Sequence, residues 1–173
     1  MLAQCRPVDE MTLPHRPILE SLALDWPDEA ACAATAAALA AAPVLRDATI
    51  ELHGTLGAGK TTFVRHLLRA LGVRGPIKSP TYALMEPYDV DGLAVSHFDF
   101  YRFADPREWA DAGLRDVFAA PGLKLVEWPD QARGMLPLPD LRMELDLLDD
   151  DRRRVTLHAF TPRGRALLAA ARR

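Results

Sequence analysis

The chain has 173 residues, a formal net charge of −3 and 49% hydrophobic residues. That length suits one globular domain, and the slight acid excess argues against a large nucleic-acid footprint. Cys5 and Cys32 show no metal-binding spacing and read as reduced bystander thiols. The chain start has no basic segment followed by an apolar run, and the longest apolar stretch, Ala36–Ala42, is too short to span a bilayer; no membrane is expected, and the cytoplasm is the expected location.

Residues 1–18, punctuated by Pro7, Pro14 and Pro17, carry no period and are expected to form a flexible extension ahead of a single domain over 19–173. Glu20–Asp25 alternates through Leu22 and Leu24, which predicts a short edge strand. Pro27-Asp28-Glu29 opens an alanine-rich helix to about Ala42, proline and acids being suited to a first helical turn. Ala48–His53 alternates and is β-prone, so it predicts a strand. The run Gly54-Thr55-Leu56-Gly57-Ala58-Gly59-Lys60-Thr61-Thr62 follows and fits G-x-x-x-x-G-K-[ST]. After it, Phe63, Val64, Leu67, Leu68 and Leu71 recur at helical spacing, and Gly72 is placed to stop the helix.

Strand, glycine loop and helix are the parts a phosphate site needs. The three glycines free the backbone to turn its N–H groups around a phosphate, and the helix N-terminus adds its dipole. Lys60 is placed to reach the β- and γ-phosphates, and the Thr61 hydroxyl to hold Mg²⁺.

Gly75–Tyr82 reads as a loop by its glycine and prolines, in the segment where P-loop proteins can carry a γ-phosphate switch. Ala94–Asp99 and Leu123–Glu127 each predict a strand ending in an acid. Ligands of open α/β sheets gather at the carboxyl ends of strands, so Asp99 and Glu127 are both placed to face a nucleotide. One is expected to hold Mg²⁺ with Thr61, the other to orient the attacking water or the switch. Pro106–Asp111 predicts a short helix ended by Gly113. Asp140–Leu148 and Arg153–Phe160 alternate around a charged turn and predict a hairpin. Thr161–Arg173 predicts a terminal helix with Thr161 as N-cap and Pro162 at its first position. His53, His66 and His97 show no ligand spacing and read as structural or exposed.

The chain has no [NT]-K-x-D to read guanine, and its D-x-x-G, Asp89–Gly92, precedes a strand, so ATP is favoured over GTP. A small-molecule kinase stays open, because Arg102, Arg107, Arg115 and Arg133 could furnish an arginine-rich lid. So does a non-catalytic, nucleotide-gated binding module.

Several ordered blocks resemble the TsaE (YjeE) family, small bacterial ATPases of tRNA threonylcarbamoyladenosine biosynthesis. They are Leu56–Phe63, Lys78–Tyr82, His97–Arg102 and Val126–Pro129, with Gly113–Asp116 between the last two. The resemblance covers roughly residues 22–160. It implies a single α/β P-loop domain with a mixed, mainly parallel sheet flanked by helices. It implies ATP and Mg²⁺ as ligands, with Gly57, Ala58, Gly59, Lys60, Thr61 and Thr62 on the phosphates, and Thr61 and Glu127 on the metal. It makes Ser79–Tyr82, with Thr81, a switch-like segment, brings Asp99 and Trp128 close to the nucleotide, and puts Glu29 near the adenine. It also implies work with TsaB and TsaD, which transfer a threonylcarbamoyl group to the adenosine beside the anticodon, with tRNA met through that complex. Thr55 stands where the family usually has Asp, in the variable part of the loop, and Phe100 replaces a common Leu.

Overall fold

The computed structural model describes residues 17–173; the expected N-terminal extension lies almost wholly outside them. Among the described residues, seven strands form one sheet in the order β1-β7-β6-β2-β5-β4-β3. The central strands β6 (Leu141–Leu147), β2 (Thr49–His53), β5 (Leu123–Glu127) and β4 (Leu93–Asp99) run parallel to one another. Antiparallel strands close both flanks: β7 (Arg153–Ala159) and β1 (Glu20–Trp26) on one side, β3 (Met85–Val90) on the other. This is the expected mixed α/β sheet with its C-terminal hairpin and helix.

The alternating patterns decide which face each strand buries. Ile50, Leu52, Leu123, Leu125, Met143 and Leu157 point into one core, beneath α1 (Glu29–Ala40), α2 (Lys60–Ala70) and α5 (Pro162–Ala171). Phe98 and Val126 point the other way, into a smaller aromatic core with Phe100, Phe103 and Trp109 beneath α3 (Pro106–Asp111) and α4 (Leu114–Ala119). Both faces of β4 and β5 are therefore covered, as a parallel sheet requires.

The helix ends follow local chemistry. Asp28 caps α1 by accepting from the Ala31 amide at 2.9 Å, so Pro27 stands before the cap and not in the first turn as the sequence predicts. That helix ends at Ala40, short of Ala42, and a 3-10 turn begins at Pro43, whose ring cannot continue it. Thr161 caps α5 by accepting from the Gly164 amide at 3.1 Å, with Pro162 at the first position, as expected. Gly113, with φ +63°, both ends α3 and starts α4. Asp91 and Gly92, with φ +49° and +71°, form the tight turn between β3 and β4. The D-x-x-G run is therefore hairpin and turn.

Candidate functional site

The site stands at the carboxyl ends of β2, β4 and β5. The chain leaves β2 at His53 and passes through a loop in which Gly54, Gly57 and Gly59 all take positive φ (+145°, +82° and +108°). It then enters α2, whose N-cap, Gly59, has no side-chain cap. Among the described residues, the amides of Gly57, Gly59, Lys60, Thr61 and Thr62 find no backbone acceptor. A helix start with this many unmet donors is an anion cradle.

Lys60 is nearly buried. Its Nζ donates to the carbonyls of Gly54 (2.6 Å) and Thr55 (2.8 Å) and lies 4.0 Å from the centre of the Trp128 ring. Burial holds its pKa below the ordinary lysine range, while the carboxylates of Glu127 and Asp99 pull it back up. Thr61, the second residue of α2, donates its hydroxyl to Glu127, 3.0 and 2.9 Å from the two carboxylate oxygens.

Parallel register places Asp99 beside Glu127. Asp99 Oδ2 accepts from the hydroxyls of Ser79 and, at 2.9 Å, Thr81, and Oδ1 accepts from the Tyr101 amide at 2.9 Å. Asp99 thus fastens the 75–82 loop to the end of β4. Trp128 follows Glu127 with φ +56°, a left-handed turn that directs its ring across Lys60 and within 4.9 Å of Tyr101.

Together these groups line a cavity of about 240 Å³. All the residues expected in the site border it except Ala58 and Glu29, which line a smaller adjoining cavity of about 110 Å³ with Trp26, Cys32 and Arg153. Gly59 and Thr62 border both. The Glu29 carboxylate is bonded to His66 at 2.8 Å. Of the four arginines considered for a lid, none borders the larger cavity. Arg107 and Arg133 are paired with Asp105 and Asp130, and Arg102 lies over Tyr82.

Leu56, Tyr101 and Arg153 join these cavities without a role read for them in the sequence, and Ser79, read there as part of the switch-like segment, borders the larger one. His97, read as structural or exposed, is fully buried and bonded to Glu127 at 2.8 Å. The cue for it was the strand itself, since residues two apart share a face and His97 therefore points the same way as Asp99.

The donor set fits a small hard cation bound with its substrate. Among the described residues no group of three or more His, Cys, Asp or Glu side chains could hold a metal. One hydroxyl and one carboxylate match Mg²⁺, which keeps waters and takes its remaining oxygens from phosphates.

Cys32 borders the smaller cavity but is buried, and burial pushes its thiol up to about 12. In a Cys5→Ser chain at pH near 8, we expect a disulfide reagent to label no thiol until denaturant is added. Fast labelling of the folded chain would show the pocket open to the reagent.

The strand, glycine loop and helix, set in a parallel α/β sheet with acids on the neighbouring strand ends, define a protein of the P-loop fold. The chain belongs to the TsaE family: the profile described as "Threonylcarbamoyl adenosine biosynthesis protein TsaE" matches residues 26–155. The tRNA threonylcarbamoyladenosine biosynthesis protein TsaE of Haemophilus influenzae is 42% identical over 121 residues, covering 70% of this chain and 76% of that protein. The protein of the same name from Bacillus subtilis is 36% identical over 110 residues, covering 64% and 68%. The crystal structure of Bacillus subtilis YdiB superposes with a TM-score of 0.74 at 27% identity, covering 88% of this chain and 95% of that one. Among the described residues no helix is long and apolar enough to cross a membrane.

Proposed function

We propose that the protein is a cytoplasmic ATPase that binds and hydrolyses ATP with Mg²⁺ as an accessory to tRNA threonylcarbamoylation. In this reading it acts with TsaB and TsaD, resets their complex between turnovers, and meets tRNA through that complex. The observation that carries the nucleotide reading is the row of unpaired amides at Gly57 and Gly59–Thr62, with the Lys60 ammonium beside it. The family supports the pathway.

Each residue then has a task. The loop amides bind the phosphates, and Lys60 leaves the Gly54 and Thr55 carbonyls to meet the β- and γ-oxygens. Thr61 and Glu127 would hold Mg²⁺, which supplies charge neutralisation on those oxygens. Asp99 holds Ser79 and Thr81 at the cavity, so the loop they sit on can respond to a γ-phosphate. Trp128 and Tyr101 wall the cavity from the side. Glu29 and Arg153, in the adjoining cavity, are offered to the nucleoside end.

Among the described residues no arginine borders the larger cavity, so the group that stabilises charge during phosphoryl transfer is expected from a partner. ATP hydrolysis should be slow for the protein alone and rise at least about tenfold with TsaB–TsaD, a fraction of what an arginine supplied in trans can give. Hydrolysis and tRNA modification, followed by mass spectrometry in the same tubes, test this together. Fast hydrolysis unchanged by partners would overturn the accessory role, and a phosphorylated metabolite would favour a kinase.

A further inference from the structure

We infer that His97 is a positioning residue for Glu127, fixing the carboxylate so that it can hold the metal with Thr61; the inference rests on the Mg²⁺-nucleotide reading above. His97 sits on β4, two residues before Asp99 and on the same face. Its Nε2 lies 2.8 Å from Glu127 Oε1. Glu127 also accepts from Thr61, so Nε2 carries the hydrogen and donates.

The other ring nitrogen shows what the imidazole is for. Among the described residues, Nδ1 is buried without any hydrogen-bond partner. Burying an unmet polar atom is unfavourable, and a leucine would fill the space without it. The bond to Glu127 is the polar contact the ring makes in return.

The position of the ring gives that bond its use. The only other side-chain donor to Glu127 among the described residues is Thr61, whose hydroxyl borders the cavity. Metal and phosphate would compete for that hydroxyl. His97 lies behind Glu127, outside the cavity lining and fully buried, so its hydrogen bond persists when ligand binds. Outer-shell donors of this kind orient a metal-binding carboxylate, and removing one typically costs about 10- to 100-fold in metal affinity.

The test is ADP affinity by calorimetry, with excess Mg²⁺, across a Mg²⁺ titration, and in EDTA. His97→Leu should raise the Mg²⁺ concentration at half-effect by about 10- to 100-fold. Its affinity for ADP in EDTA should stay within about twofold of wild type, because the loop amides and Lys60 are untouched. His97→Gln, which offers an amide donor at similar reach, should recover part of the Mg²⁺ effect. If His97→Leu does not fold, His97→Asn, whose amide is shorter, carries the same comparison. An unchanged Mg²⁺ midpoint would overturn the inference. So would an equal loss of affinity with and without Mg²⁺, which is what a merely structural role predicts. Wild-type protein that binds no ADP in either condition would overturn the nucleotide reading, and His97's role with it.

Discussion

Lys60→Ala should abolish ATP turnover while leaving the fold intact. The loss should be at least about a hundredfold, the scale on which one charged or hydrogen-bonding group at a reacting centre contributes. Nucleotide binding should weaken too, because the ammonium is the cation closest to the loop. Wild-type protein with ADP at about 100 times its Kd should gain about 2.7 kcal/mol, read as a rise in melting temperature. The variant at the same concentration should gain little.

The unliganded variant should melt within a few degrees of wild type. Two opposed terms produce that result. The Lys60 ammonium donates to the carbonyls of Gly54 and Thr55, which favours the folded state. Burial holds its pKa low, which means that folding disfavours its charge. The sign follows from linkage: a lysine with a depressed folded pKa weakens stability below that pKa, and the penalty fades as pH rises toward the ordinary value of about 10.4. Any gain in stability from Lys60→Ala should therefore be largest near neutral pH and shrink at alkaline pH. Circular dichroism that collapses in the variant would show that the lysine holds the loop together before it serves a ligand.

What could be read from sequence was what is local or periodic. The loop announces itself because Gly59, Lys60 and Thr61 are contiguous and sit between a period-two and a period-3.6 segment. Asp99 and Glu127 were found because both end apolar strands, and the register indeed pairs them. Strand β3 was missed since it is an edge, exposed at Glu86 and Pro87, and lacks the apolar alternation of the others. Helix α4 is six residues long and starts from Gly113, without the Asp105-Pro106 start that marks the equally short α3. The bond from His97 to Glu127 joins residues 30 apart through strand pairing, and no spacing rule reaches that far. Asp99 was legible as an acid at a strand end, yet its bonds to Ser79 and Thr81 depend on how the 75–82 loop folds back. Glu29 was assigned by resemblance alone, and its pairing with His66 of α2 comes from the packing of two helices.

The three loop glycines answer to different constraints. From sequence, all three serve the phosphate. In the fold they differ. A Cβ on Gly54 would stand 2.5 Å from the Leu145 carbonyl oxygen and 3.1 Å from the Ala58 side chain. That carbonyl belongs to β6, which pairs with β2 up to His53 and Glu144, so neither backbone can move aside without breaking the ladder. Among the described residues, a Cβ on Gly57 meets nothing within 4 Å. Gly54 is therefore required by the neighbouring strand, and Gly57 by its left-handed backbone and, in the proposed function, by the phosphate it would face. Gly54→Ala should cost about 3 kcal/mol, combining backbone strain with overpacking. At this chain length that lowers the melting temperature by roughly 10 °C. Gly57→Ala should cost about 1 kcal/mol from the left-handed conformation, with its main effect on ADP affinity. Calorimetric melting of both variants, each with and without ADP, separates the two. Equal stability losses would mean that the β6 contact does not set the requirement at Gly54, and that backbone conformation alone explains both glycines.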